Sequence, residues 1–244
     1  MSKPGGTFHV VSGIPPIDPD AAIDGARLID NHLRPILLEE TGPGSNRETF
    51  IGGSDVAAIM GMSKWATPLT IWEKKTGRYI EPPTAEKIKL FKRGKRWEQP
   101  AFEMLCDVLR ERGHDIVEHA SSRRYKDGQY PFFACEIDRE IILDGEFCNV
   151  EIKTVHPFGA KDWGDFEDED GQLTDRVPIY YGTQGMWGLG ITGIGRCVMG
   201  CLIGADAMQP YFIDRDDEVI AELRAACLRF WNYNIIGDNA PDPI

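Results

Sequence analysis

Hydrophobic positions change period near residue 115, with helical spacing before it and mostly strand-like runs after it. Within a Pro- and Gly-rich start, Asp20 to Leu38 places Ala21, Ile23, Ala26, Ile29, Leu33, Ile36 and Leu37 at roughly helical intervals, which predicts one helix. Gly52-Gly53-Ser54-Asp55 then opens a short helix, with Ser54 as N-cap and Gly61 as its stop. Thr67-Pro68 starts the next, which carries Trp72 and closes at Gly77. A third follows Pro82-Pro83 and runs to Arg112 before Gly113. Pro100 predicts a kink in it, or a restart near Trp97.

Past that point Ile116–Glu118, Arg124–Lys126, Phe132–Ile137 and Phe147–Thr154 read as strands, divided by Asp127-Gly128 and Asp144-Gly145 turns. Helical spacing returns from Val177 to Thr192, where Gly182, Gly185 and Gly188 would let another backbone approach closely. Arg196–Ile203 and Pro210–Ile213 read as strands. Asp216–Ile236 closes the pattern as an amphipathic helix with acids in its first turn. This alternation predicts an α/β fold, a single domain with a central mixed β-sheet flanked by helices. Residues 1–45 form an arm with one candidate helix, and the chemistry is expected within 46–244.

Composition narrows the class. A chain of 244 residues with 42% hydrophobic and 27% charged positions can bury a full core. No apolar run approaches the ~18–20 residues of a membrane span. Met-Ser-Lys-Pro-Gly-Gly lacks the apolar centre of an export signal, so a cytoplasmic location is expected. The six cysteines (106, 135, 148, 197, 201 and 227) show no CxxC spacing, which disfavours a zinc ribbon and predicts reduced thiols. An iron–sulfur site is not expected from Cys197 and Cys201 alone.

A net charge of −12 argues against coating nucleic acid through bulk charge. Local charge differs. Lys87, Lys89, Lys92, Arg93, Lys95 and Arg96 place six cations in ten residues, and Arg123, Arg124 and Lys126 add a smaller group. Seven acids crowd between Asp162 and Asp175 and read as a solvated face. The Lys87–Arg96 run reads either as another solvated face or as a phosphate-tracking surface. Trp65 and Trp72 are expected in the core. His156, three residues past Lys153, lies close enough in sequence to approach a metal, although a lone His is usually structural.

The informative triplet is Asp138, Glu151 and Lys153. Along a strand Glu151 and Lys153 point one way and Ile152 the other, while the Asp144-Gly145 turn can fold Asp138 back beside Glu151. Two converging carboxylates repel unless a cation lies between them, and hard oxygen donors favour Mg²⁺ or Mn²⁺. Lys153 could orient or deprotonate a water, or offset charge on a phosphorane-like transition state. On its own the triplet is a weak signal, because surface strands more often carry Glu-x-Lys as a cross-strand ion pair.

Ordered blocks extend it. Phe50-Ile51-Gly52-Gly53-Ser54-Asp55-Val56-Ala57-Ala58-Ile59-Met60-Gly61 with Thr67-Pro68, Trp72-Glu73 and Thr76-Gly77 opens the series. Arg93-Gly94-Lys95-Arg96-Trp97-Glu98, Cys135-Glu136-Ile137-Asp138, Glu151-Ile152-Lys153 and Tyr180-Tyr181-Gly182-Thr183-Gln184 follow. Together, over about residues 47 to 235, they resemble the YqaJ-like viral recombinase family, which includes the phage lambda-type alkaline exonucleases of the PD-(D/E)xK nuclease superfamily.

The resemblance implies a restriction-endonuclease-like core and a metal-dependent exonuclease that degrades one strand of duplex DNA from its 5′ end. Its 3′ tails would serve a single-strand annealing protein, in a phage or prophage setting. By position, Asp138 and Glu151 would bind Mg²⁺ (or Mn²⁺), with the Ile152 carbonyl as a further ligand and Glu98 directly or through water. Lys153 would activate the attacking water, and Gln184 would hold Lys153 or the nucleophile. Arg47 and Ser54 would grip the terminal 5′-phosphate. A ring-shaped homotrimer is a family property.

Two positions depart from the pattern. Met186 stands where the family often has a second Gln, and Glu136 stands where a small polar residue helps grip phosphate. A carboxylate at 136 would repel a phosphate unless it binds a cation. Two rivals keep parts of this picture: a structure- or site-specific endonuclease of the same superfamily, and a catalytically idle DNA-end or protein-binding module.

Overall fold

The structure, a computed structural model, describes residues 36–38, 47–78, 82 and 84–243. Six strands form one sheet in chain order: β1 (Ile36–Leu38), β2 (Ile116–Lys126), β3 (Ala134–Leu143), β4 (Glu146–Val155), β5 (Arg196–Ile203) and β6 (Ala207–Asp214). Neighbours are antiparallel except β4 and β5, which run parallel and are joined through helix α4 (Ile179–Thr192). Only a crossover connection can make strands parallel, and the helix covers the sheet as it returns. The sheet is therefore mixed and flanked by helices, as the alternation predicts.

Helices α1 (Gly53–Ile59), α2 (Pro68–Lys75), α4 and α5 (Asp217–Arg229) share a core with Phe133, Ile137 and Tyr211. Helix α3 (Ala85–Glu111) instead packs Phe102, Leu105 and Leu109 with Ile141, Val150, Val198 and Leu202 in a second core. Strand β5 shows the alternation that makes two layers. Cys197, Met199 and Cys201 enter the first core, and Val198 and Leu202 the second. All six cysteines are buried and unbridged.

Several boundaries differ from expectation for physical reasons. Ile36–Leu38, the end of the predicted Asp20–Leu38 helix, is a strand paired with Arg124–Lys126. Pro35 stands just before it, and proline interrupts a helix from within. The rest of that prediction lies outside the described residues. The two short strands predicted between 116 and 126 are one, because cross-strand pairing with β3 carries the polar middle through a register shift between Glu118 and Ala120. Helix α3 neither breaks nor restarts at Pro100, which sits on its exposed side. Arg96, whose carbonyl loses its donor there, is likewise an exposed residue.

The closing helix is α-helical only to Arg229 and continues as a π-helical turn, Phe230–Ile236. The α4 glycines admit side chains rather than a second backbone. A methyl group at Gly185 would sit 3.3 Å from Ile213 Cδ1, and one at Gly188 3.2 Å from Ile137 Cδ1. Among the described residues no helix is long and apolar enough to cross a membrane.

Candidate active site

Asp138, Glu151 and Lys153 meet where β3 and β4 stop pairing. Asp144 (φ 52°) and Gly145 (φ 89°) form the tight hairpin whose twist suits the two strands, and the ladder ends at Arg139↔Val150. One residue further on, Asp138 Oδ2 accepts the Ile152 N–H at 2.9 Å, so the side chain takes the place of the next rung. Lys153 Nζ donates to Glu151 Oε2 at 2.8 Å, while Ile152 packs against the other layer. From α4, Gln184 closes the group. Its Oε1 accepts from Lys153 Nζ at 3.1 Å and its Nε2 donates to Glu151 Oε2 at 2.7 Å.

Glu98, one helical turn beyond Gly94 on α3, faces the same space. Asp138, Glu151, Ile152, Lys153, Gln184 and Arg47 share with it a cavity of about 210 Å³. Arg139 Nη1 holds Glu98 at 2.9 Å and Lys95 holds it from outside at 2.9 Å. Arg139 also donates to Gln99 Oε1 and to the Asp138 carbonyl, at 2.8 and 2.6 Å, tying α3 to β3.

Burial sets the electrostatics. Glu151 is only 3% exposed; desolvation pushes its carboxyl up to about 7, with Lys153 opposing and Asp138 adding to the rise. Desolvation likewise raises Asp138. Burial alone would lower the Lys153 ammonium, but the charges of Glu151 and Asp138 outweigh it and hold the group above its ordinary range.

A metal can be tested against these donors. Among the described residues no three His, Cys, Asp or Glu side chains converge on one point. Glu98 is drawn toward Arg139 and Lys95, and one Asp138 oxygen toward the Ile152 N–H. The donor chemistry nonetheless suits a hard cation. Buried Glu151 and half-buried Asp138 share the one Lys153 ammonium, and hard oxygen donors are what Mg²⁺ and Mn²⁺ take.

A second cavity, about 110 Å³, adjoins the first and is lined by Arg47, Ser54, Glu136, Glu151 and Gln184. Ile51 bridges to Phe133, just before β3, through Ile51 N–H to the Phe132 carbonyl at 2.7 Å, and so brings Arg47 beside the site. Lys75, its side chain 4% exposed, fixes that segment by donating to the carbonyls of Arg47 and Phe50 at 2.5 Å each and to Asp55 Oδ2 at 2.8 Å. A methyl group at Gly53 would lie 3.0 Å from Gln184 Cγ, so this glycine lets α1 approach α4.

Ser54 is not the N-cap: Gly52 is, its N–H bound to Asp55 Oδ2 at 3.0 Å, and Ser54 lies exposed in the first turn. Glu136 binds cations of the protein itself, forming ion pairs with Arg47 and Arg124. Burial would raise its carboxyl, but these two guanidiniums hold it below the usual range.

Other expectations divide. Met186 turns into the core, where its Sδ accepts the Asp216 N–H at 3.3 Å, leaving Gln184 as the glutamine at the site. His156 caps the Pro157–Asp162 turn through Phe158 N–H at 3.3 Å. Trp72 is buried as expected. Trp65 is not: it is 62% exposed and stands edge-on to Tyr180 with ring centroids 4.5 Å apart. Arg124 is no part of a solvated cationic group, being buried against Glu136, and Arg123 lies 3.7 Å from Glu140. Sequence reasoning missed Lys75 and Arg139 at the site. Their only signal was a cation beside a site block, which also describes surface residues.

Comparison with known proteins bears on the fold and the family. The fold resembles an alkaline exonuclease from Laribacter hongkongensis (TM-score 0.52, 17% identity, 79% of this chain and 90% of that one). It also resembles a phage-related exonuclease from Haemophilus somnus (TM-score 0.52, 13% identity, 78% and 96%). The sequence is 31% identical over 201 residues to the uncharacterized protein YqaJ of Bacillus subtilis, covering 80% of this chain but 56% of that protein's length. The pattern of the YqaJ-like viral recombinase domain matches residues 45–195, a span holding every candidate site residue named above, and the chain belongs to that family.

Proposed function

We propose that this chain is a Mg²⁺- or Mn²⁺-dependent exonuclease that degrades one strand of double-stranded DNA from its 5′ end. The 3′ single-stranded tails it leaves would feed a strand-annealing protein in a phage or prophage context. The observation that carries this reading is the Lys153 ammonium fixed between Glu151 (2.8 Å) and Gln184 (3.1 Å), beside Asp138 in an open cavity. Asp138, Glu151 and the Ile152 carbonyl would hold the cation, with Glu98 contributing directly or through water. When bound, a divalent cation polarises the phosphoryl oxygens and lowers the pKa of water.

The chain's own groups do the rest. Lys153 orients the attacking water and offsets charge developing on the phosphate. Gln184 holds Lys153 and Glu151 in one geometry, so little reorganisation is needed during reaction. Arg47, reached through the adjoining cavity, stands beyond the cleavage point and contacts the strand end.

The test is Lys153→Ala on a linear duplex with Mg²⁺. Cleavage is expected to fall by at least about a hundredfold, the scale of one preorganised electrostatic contact, with an unchanged circular dichroism spectrum. Near-normal cleavage by the variant would falsify this mechanism.

A further inference from the structure

Trp65 lies in the loop between α1 and α2, where Ser63 Oγ accepts its N–H at 3.2 Å. Among the described residues it is 62% exposed. A lone exposed apolar side chain needs no explanation, but Trp65 belongs to a cluster. The ring centroids of Tyr180 and Tyr181, in the first turn of α4, lie 4.5 and 5.9 Å from its own. Lys64 Nζ stands 5.0 Å from the centroids of both Trp65 and Tyr180, and pairs with Asp162 at 2.7 Å. Tyr181 leads inward, its ring centroid 5.2 Å from Lys153 Nζ.

Tyr180, Gln184 and Gly188 follow one another at four-residue spacing and so share one face of α4. Gln184 and Gly188 line the smaller cavity with Arg47, and Gln184 also lines the larger one with Lys153. The aromatic cluster therefore lies one helical turn to the other side of Gln184. A strand whose end reaches Arg47 and whose reacting phosphate lies at Lys153 continues toward Tyr181 and Trp65. Aromatic faces hold unpaired bases of any sequence, and a cation beside them suits the neighbouring backbone phosphate. We propose that Trp65, backed by Tyr180, is a stacking platform for an unpaired base of the degraded strand, on the uncleaved side of the reacting phosphate. The direction of that strand rests on the exonuclease reading above.

The experiment uses a linear duplex frayed at one end by a few mismatched pairs, with a single abasic residue placed in turn at each nucleotide near the 5′ end. Binding is followed by fluorescence anisotropy in EDTA for the wild-type chain, Trp65→Leu and Trp65→Phe. The wild type is expected to bind about fivefold to a hundredfold more weakly when one particular base is missing, the scale of one base stacked on an aromatic ring. Trp65→Leu keeps apolar bulk without a ring, so it should show the same loss on the intact strand and little further loss at that abasic position. Trp65→Phe should keep most of the affinity. Wild-type affinity in Trp65→Leu, or losses from variant and abasic residue that simply multiply, overturns the inference. A wild-type profile that is flat along the strand overturns it without any variant. With Mg²⁺ in place of EDTA, degradation of the duplex alongside a flat profile removes the inference alone. No degradation by the wild type removes the nuclease reading and the inference together.

Discussion

Glu151 carries a heavy electrostatic burden at the site. It is buried beside Asp138, and among the described residues Lys153 and Gln184 reach its Oε2. A divalent cation should relieve that burden and so stabilise the fold. At a hundredfold excess over Kd, linkage gives about 2.7 kcal/mol, a rise in melting temperature of about 5–10 °C for a chain of this size. Glu151→Gln should fold, since it removes a buried charge, but should lose most of the rise. An equal Mg²⁺- or Mn²⁺-induced shift in wild type and variant would contradict Glu151 as a ligand. At this scale the sequence was most legible where residues alternate along a strand. Glu151 and Lys153 share a face and Ile152 takes the other because a strand leaves no alternative. It was least legible where long cations choose among distant acids. Nothing local makes Lys75 turn inward to the Arg47 and Phe50 carbonyls, or Arg139 reach Glu98; tertiary packing decides both.

Among the elements, α4 does most to position the site, since it lies over the sheet and carries Gln184 to β4. Its glycines set how closely it packs. A methyl group at Gly190 would lie 2.8 Å from Ile220 Cγ2 on α5, too near without movement of one helix. Gly190→Ala gains about 1 kcal/mol of helix propensity and loses about 1–3 kcal/mol to overpacking. The expected net is a lower urea midpoint; a higher one would show that the α4–α5 contact yields freely. Element ends were legible where chemistry is local. Thr67 accepts the Thr70 N–H at 3.2 Å, and Gly61, Gly77 and Gly113 take positive φ after their helices, as predicted. They were illegible where pairing overrides composition, as in the polar middle of β2 and the strand at Ile36–Leu38, which exists only by pairing with residues about ninety positions away.

Over the whole molecule, a net charge of −12 has to be reconciled with the polyanionic substrate proposed for it. The acids of the 162–175 segment are mostly exposed, whereas the first half of α3 exposes Lys87, Lys89, Lys92 and Arg96 on the helix that carries Glu98 to the site. Duplex binding should therefore depend on a few local phosphate contacts. In the Lys153→Ala background, replacing Lys87, Lys89 and Lys92 with alanine should reduce the log Kd versus log salt slope by about two to three. An unchanged slope would place the DNA elsewhere. The central claim, end-dependent degradation of one strand, is tested most directly on linear duplex labelled at either its 5′ or 3′ end. It is incubated with Mg²⁺ or with EDTA, beside a covalently closed circle. The account predicts Mg²⁺-dependent loss of one strand from the 5′ end, with circles intact and nothing cleaved in EDTA. Cut circles, or degradation from the 3′ end, would contradict it.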